Sequence, residues 1–528
     1  MKNGLRIFCL VLALALLAGA VALADAGIVT EAGFPVVTEP ITLTIMASQS
    51  SVQPDFETMV IIPKYDEMTG IDAVWTCVSS SSRSEKIAAG IAAGDLPDIL
   101  FKCNISAANL QKYGASGDII DLAPMLEEYA PNFWAYANEN PDVLAAITTP
   151  DGKIYSLPAV ADAPATRMNK KLYFNQEWMD KLELEQPTTL DELYDVLYAM
   201  RFNDPNGNGE VDEVPMSETT STLFQILGGL FGNGNRGTHS SYYDMDKETG
   251  KVRFTMTSDS FRAALEFMNK CYADGLIDQE CITCNDDHIV GLAAQDKLGI
   301  YFATNLALLG AEDAAKFVPA TTWVEGANWA TMRSHLHSVG AFVITKNCAN
   351  PEAALRWVDF FYTMEGVTFY HYGIEGQTYV VNEDGTLSYA PEILAQISGD
   401  KSYDEVASTV SPYCGGNNPT MMSYPGYAGM ELSPLPIASA DALMPFTSDV
   451  IWPIFTYTDE ELATVNTVGS DLNSYAKKTA VEFLTGEREL NDEEWEAFKA
   501  QTVEMGVEDM LDLMEGVIDR VESIMGVR

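Results

Sequence analysis

The segment Asp204-Pro-Asn206-Gly-Asn208-Gly209-Glu210-Val-Asp212-Glu213-Val-Pro215 has the residue types and spacing of a calcium loop. Ca2+ is a hard ion that takes about six to eight oxygens from a tight turn. Oxygen-bearing side chains at loop positions one, three and five point inward together. Glycine at six allows the sharp bend, and a main-chain carbonyl follows at seven. Those places hold Asp204, Asn206, Asn208, Gly209 and Glu210, with Asp212 at nine. Pro215 stands at twelve in place of a bidentate Glu, so Glu213 has to serve. The pattern suits a structural ion better than a switching helix–loop–helix. The alternative is an Asn/Gly turn that holds no metal.

Other chemistry is thinner. Cys281-Ile-Thr-Cys284 has the spacing of a redox pair or a zinc half-site, but no second CxxC or HxxxH completes four ligands. The seven cysteines left without Cys9 are scattered and odd in number, so they form no disulfide framework; structural thiols or one incidental disulfide are expected. His335 and His337 could share a strand face, but no carboxylate cluster accompanies them. The glycine-rich run 227–237 lacks the Lys-Ser/Thr ending of a phosphate loop. Neither G-x-S-x-G nor H-E-x-x-H occurs. Aromatics make up 10% of the chain. A sugar ring packs its C–H face on an aromatic plane and offers its hydroxyls to amides, acids and guanidinium groups. Trp329, Tyr372 and Trp452 fall in expected loops or strand ends, with Gln49, Arg333 and Glu375 as polar partners. These six are the candidate ligand contacts.

The elements that must position such residues alternate. Ile41-Thr-Leu-Thr-Ile45 is β-branched and alternating, which predicts a strand. A helix is predicted over 56–68, which tolerates Pro63 poorly unless its first turn begins there, then strands at 71–76 and 99–101 flanking a helix at 84–93. Strand, helix, strand, helix, strand begins an α/β parallel sheet. Thr189-Leu-Asp-Glu192 is a capping box for a helix burying Leu193, Val196, Leu197 and Met200. Further on come a strand at 342–345, a helix over 351–362 and a second capping signal at Asn491-Asp-Glu-Glu494. Met510, Leu511, Met514, Val517, Ile518 and Val521 form a core stripe on a C-terminal helix. The length allows two substantial cores with a ligand between them.

Charge narrows the partners. Lys plus Arg number 31 against 76 Asp plus Glu, a formal net charge of −45. That argues against nucleic acid and against anionic membrane surfaces. Lys2 and Arg6 precede an apolar run from Ile7 to Ala24 ending in Ala22-Leu-Ala24, which reads as a secretory signal peptide. An uncleaved anchor is the alternative. Ala20 stands where a lipidated Cys would be, so no lipid anchor is expected. Residues 25–40 read as a linker.

Several motifs together resemble one family. They are Ala92-Ala-Gly-Asp-Leu-Pro-Asp-Ile-Leu100, Asp151-Gly-Lys-Ile-Tyr-Ser-Leu-Pro158, Phe174-Asn-Gln-Glu-Trp178 with Pro187-Thr-Thr-Leu-Asp-Glu192, the 204–215 loop, Tyr372-Gly-Ile-Glu-Gly376 with Tyr379, and Phe483-Leu-Thr-Gly486 with Trp495. Spread in order over about 40–525, they resemble family 1 extracellular solute-binding proteins of bacterial ABC importers, in particular the large oligosaccharide-binding, lipoprotein-like subfamily. The resemblance implies an α/β, two-lobe, periplasmic-binding-protein-like fold with hinge strands. It implies an N-lobe of 40–160 plus 340–368 and a C-lobe of 165–335 plus 370–528. It also implies structural Ca2+ on Asp204, Asn206, Asn208, the Glu210 carbonyl, Asp212 and Glu213. The expected function is capture of a carbohydrate, an oligosaccharide, between the lobes by an extracellular monomer. That monomer would present it to ABC permease subunits and perform no chemistry. The rival expectation is a secreted, calcium-containing carbohydrate-active enzyme.

Overall fold

The computed structural model describes residues 28–239, 242–397, 403–429 and 432–527. The expected leader at 1–24 lies outside the described residues.

Alternation makes the first strands. In β1 (Ile41–Gln49) Leu43 and Ile45 turn inward while Thr42 and Thr44 stay exposed. In β2 (Ile71–Ser79) Ile71, Ala73 and Trp75 are the inward set. The expected helix between them breaks into a turn at Phe56–Thr58 and a helix at Ile61–Thr69. Pro63 explains the restart, since its missing N–H is harmless only in a first turn. Gly70 then ends the helix at φ 74, in the left-handed region that glycine enters without strain. With β3 (Ile99–Ile105), β4 (Leu157–Val160) and β11 (Leu336–Ile344), these strands form a sheet ordered β2-β1-β3-β11-β4. β1 runs parallel to β2 and β3, whereas β11 runs antiparallel to β3 and β4.

A second sheet has the order β10-β5-β9-β6. It contains β5 (Lys171–Asn175), β6 (Val214–Met216), β9 (Leu298–Ala303) and β10 (Phe317–Pro319). Two hairpins, β7 (Tyr243–Met245) with β8 (Val252–Phe254) and β12 (Tyr379–Val381) with β13 (Leu387–Tyr389), complete the strands. Helices cover both sheets. The capping box at Thr189 and Glu192 is made, and Leu193, Val196, Leu197 and Met200 of helix 190–202 are buried. Helix 507–525 buries Met510, Met514, Val517, Ile518 and Val521.

Each sheet has its own core. The first gathers Leu43, Trp75, Phe101, Phe342 and Trp357; the second gathers Phe174, Trp178, Phe302, Phe483 and Trp495. This is a two-lobed α/β fold. Three stretches join the lobes at one level. Ala161 N–H donates to the His335 carbonyl at 2.9 Å, and Arg333 N–H to the Arg167 carbonyl at 3.0 Å. Val160 N–H donates to the Thr420 carbonyl, and Met422 N–H to the Val160 carbonyl.

Two boundaries differ from expectation. Val36 and Val37, in the segment read as a linker, are 2% and 3% exposed in the first core. Tyr370, Tyr389, Ala407, Val410 and Tyr413, expected in the C-lobe, also pack in the first core. The reason is continuity. Helix 364–372 follows helix 351–359 and keeps its aromatic face against Phe361.

Candidate functional site: an interlobe cleft and a carboxylate loop

A cavity of about 1020 Å³ lies between the lobes. Its first-lobe wall comes from helix 403–410 and the segment after it: Tyr403, Tyr413, Asn417, Asn418 and Tyr427. Its second-lobe wall carries Asn169, Thr222, Gln225, Asp286 and the stretch 301–308 at the end of β9. The joining strands supply the floor, with Ala159, Arg333 and His337. Val52 and Leu308, 40% and 62% exposed, stand on opposite lobes at its edges.

The floor is polar but internally compensated. Arg333 donates from Nη1 to His337 Nδ1 at 3.2 Å. Guanidinium only donates, so Nδ1 is the acceptor and Nε2 bears the proton. Burial, then Arg333, lowers His337 to about 4, and the same two causes lower His239 to about 4. Both rings are neutral at pH 7. Lys170 is neutralised by Glu218. Beside the cleft, burial alone would raise the Asp142 carboxyl; bonds from His335 outweigh it and hold it below its ordinary value. His335 Nε2 in turn accepts from Arg167 at 2.9 Å.

The first-lobe wall is shaped by glycine. Gly415 and Gly416 have φ of 82 and 69. A Cβ on Gly415 would lie 3.1 Å from Ser50 Cβ, and one on Gly416 would lie 3.8 Å from His337 Nε2. Only glycine lets this segment pass so close to the β1–β2 connection.

Of the six expected contacts, Arg333 lines the cavity. Gln49 does not; its amide donates to the Pro54 carbonyl at 2.8 Å and fixes the turn that bears Val52. Trp329 is 1% exposed, edge-on to Trp323, with its indole N–H on the Lys170 carbonyl. Trp452 is fully buried, with its N–H on Glu522 Oε1 at 2.7 Å and Arg236 above its ring. Both are core residues of the second lobe and present no face to a ligand. Tyr372 packs on Tyr379 and Tyr389, and Glu375 sits in an exposed turn; neither lines the cavity. The tyrosines and asparagines of 403–427 went unforeseen. Their one signal is Tyr413-Cys-Gly-Gly-Asn-Asn-Pro419, a Gly/Asn turn led by an aromatic residue.

The 204–213 loop is wound as its spacing implies. Asp204 sits at φ 50, and its Oδ2 accepts from Gly209 N–H at 3.2 Å. Asn206 Oδ1 accepts from Asn208 N–H, and Asn208 Oδ1 from Glu210 N–H at 2.7 Å. Both amide groups donate to Asp212 Oδ1, whose other oxygen pairs with Lys297 at 3.0 Å. Asp204 Oδ1 and Glu213 Oε1 are buried and lack a hydrogen-bond partner. Burial, then the charges of Asp212 and Asp204, raises the Glu213 carboxyl. Two orphaned carboxylate oxygens in an all-oxygen loop fit a hard cation. Among the described residues no group of three or more His, Cys, Asp or Glu side chains converges at metal-binding spacing, so Asn and main-chain oxygens would have to complete the shell. The described cysteines are free, and burial pushes Cys281 and Cys284 up to about 12 and about 11, which leaves them protonated and unreactive.

A cleft between two lobes joined by hydrogen-bonded crossings defines a protein that holds a ligand by closing on it. The bacterial extracellular solute-binding protein family matches residues 49–368, and the chain belongs to it. It is 26% identical over 503 residues to the fructooligosaccharide ABC transporter substrate-binding protein FusA of Streptococcus pneumoniae serotype 4, covering 91% of each chain. It is 24% identical over 343 residues to the polygalacturonan/rhamnogalacturonan-binding protein YtcQ of Bacillus subtilis, covering 62% of this chain and 65% of that protein. Among solved structures it resembles S. pneumoniae FusA with kestose, at TM-score 0.68, 24% identity and coverage of 91% and 99%. It also resembles an extracellular solute-binding protein of Bifidobacterium longum subsp. infantis, at TM-score 0.73, 20% identity and coverage of 92% and 98%. Among the described residues no helix is long and apolar enough to cross a membrane.

Proposed function

We propose that this chain captures an oligosaccharide in the interlobe cleft and delivers it to the membrane subunits of an ABC importer. The observation that carries this reading is the cleft itself: about 1020 Å³, with tyrosine faces on one wall and amides and hydroxyls on both. Tyrosine rings offer stacking planes, and Asn417, Asn418, Asn169 and Gln225 offer both donors and acceptors, which matches a polyhydroxylated ligand. The relatives named for fructooligosaccharide and for polygalacturonan support the ligand class.

The mechanism is closure. A ligand that touches both lobes gains contacts in the closed form that the open form lacks, so binding shifts the population toward closure. Closing also covers Val52 and Leu308. In this reading the sugar is held and released unchanged, and His337, tied to Arg333 and kept neutral, adds no charge to the floor.

The carboxylate loop would hold a structural Ca2+ through Asp204, Glu213 and neighbouring oxygens, none of which lines the cleft. One structural neighbour is an alginate-binding protein solved without calcium ion, and another is an EF-hand mutant. The apolar leader would export the chain, which then works as an extracellular monomer.

A thermal-shift screen of the exported chain from Asp25, with Ca2+ and a panel that includes kestose, nystose and oligogalacturonides, tests the reading. Ligand at about 100 times Kd adds about 2.7 kcal/mol to the binding state, a rise of several degrees for lobes of this size. The sugar should be recovered intact. Cleaved sugar would favour the enzyme, and no shift anywhere would refute the carbohydrate.

A further inference from the structure

Lys102 is charged, buried and outside the expected site. It lies in β3, is 2% exposed, and takes φ 57 in the left-handed region that non-glycine residues avoid. Its ammonium points into the first lobe. There it donates to two main-chain carbonyls, those of Pro412 and Cys414, the latter at 2.6 Å. The Gln53 amide donates to the same Pro412 carbonyl at 2.9 Å. Among the described residues no carboxylate pairs with this lysine.

A buried ammonium without a counter-charge is an expensive way to satisfy two carbonyls; a neutral donor would serve packing at lower cost. The carbonyls it grips belong to the segment that carries Tyr413, Asn417 and Asn418 to the cleft. We propose that Lys102 is a positioning residue for ligand binding, whose ammonium holds the main chain of 412–418 in the arrangement that presents Tyr413, Asn417 and Asn418 to the ligand. The proposal rests on the reading of the cleft as the ligand site.

The grip has a pH signature. Burial pushes Lys102 down to about 7. The titratable groups that act on it or feel it are Cys77 on β2, Cys414 on the segment itself and His371 on helix 364–372. Beyond them, Asp55 and Glu57 act on Cys77, and Asp404 acts on Cys414. Burial raises Cys77, raises Cys414 to about 11 and lowers His371 to about 3. Around neutrality Lys102 is therefore the member of this cluster that changes charge. Losing its proton leaves two N–H donors for the two carbonyls but removes the charge that strengthens both bonds, so the grip weakens and sugar affinity falls as pH rises through about 7. Its contribution to folding runs the other way. The unfolded chain binds this proton more tightly, so stability grows between about pH 7 and the ordinary lysine value. Opposite trends in affinity and stability are not what a packing residue produces.

Amide hydrogen exchange of segment 412–420 in the exported chain needs no ligand. At about pH 6 the segment should be protected. At about pH 8.5, after correction for intrinsic exchange rates, protection should drop several-fold while the rest of the first core is unchanged. Lys102→Met should show low protection at both values. Equal protection at both pH values in the unaltered chain overturns the proposal, and so does protection in Lys102→Met at about pH 6 equal to that of the unaltered chain at the same pH. If Lys102→Met does not fold, the unaltered chain's pH profile decides alone. A panel sugar should bind at least tenfold more weakly to Lys102→Met at about pH 6. Equal affinity would also overturn the role. A responsive loop in a chain that binds no panel sugar would refute the carbohydrate and leave the lysine's role standing.

Discussion

Two Asn/Gly loops of similar length hold their shape by different balances of means. The 204–213 loop is wired first from within, where Asp204, Asn206 and Asn208 each accept a main-chain N–H from their own loop, and only its ends and Asp212 are held from outside, by Lys181, Arg201 and Lys297. The 412–418 segment makes few bonds to itself. It is gripped from outside by Lys102 and Gln53, against a sheet laid down some 310 residues earlier in the chain. A loop that supplies its own scaffold can be moved or mutated as a unit. A loop that borrows its scaffold reports on the lobe beneath it, which suits a surface meant to meet a ligand.

Acid separates the two most strongly. His337 at the cleft floor, His239 close to Arg333 and His371 behind the wall are held neutral, with values pushed down to about 4, 4 and 3. Unfolded histidine binds protons nearer 6.5, so stability is lost as pH falls from about 6.5 toward 4, by about 3 kcal/mol for each ring. Hydrogen exchange during acid titration should open 412–420 before 204–213; the reverse order would break the contrast.

Metal removal comes next and strikes the other loop. Chelator added to the calcium-loaded chain should cost about 2.7 kcal/mol if calcium stood at about 100 times Kd. Exchange should rise in 204–213 and stay constant in 412–418. Asp204→Ala should make melting indifferent to calcium.

Glycine substitutions give a crossed test. Gly209 and Gly415 sit at φ 81 and 82, so alanine at either costs about 1–2 kcal/mol from the backbone alone. Gly209→Ala should weaken the calcium response and spare sugar binding. Gly415→Ala, whose Cβ meets Ser50, should do the converse. If both variants lose both properties, the loops are not independent. Smallest of all is Thr189→Ala, which removes a helix cap that touches neither loop. It should lower stability by about 1 kcal/mol in a melting curve and leave calcium and sugar responses alone.

The same contrast explains what could be read in the sequence. The calcium-like loop and the Thr189 capping box were legible because the bonds that wind the loop and close the box join residues only a few positions apart. The early strands were legible because alternation at Leu43 and Ile45 is itself the cause of burial. Trp329 and Trp452 were misjudged as cleft residues because their neighbours along the chain say nothing of what lies across the lobe; Trp452 is settled by Glu522, on helix 507–525. The Tyr413 wall was invisible for the same reason. Its aromatic residue and its asparagines have ordinary composition, and what aims them is a lysine in a distant strand. The assignment of 370–428 failed likewise, since apolar residues fit either core until the sheets are in place.

The joint between the lobes has a mechanical consequence. A single linking strand would act as a swivel, free to turn about its own length. Here Val160 is laced between Leu336 on one side and the 420–422 stretch on the other, so three tethers sit side by side like the leaves of a door hinge. Such a joint resists torsion and yields to bending. A joint of that kind should confine the jaws to one arc, so that the two walls meet in a single register.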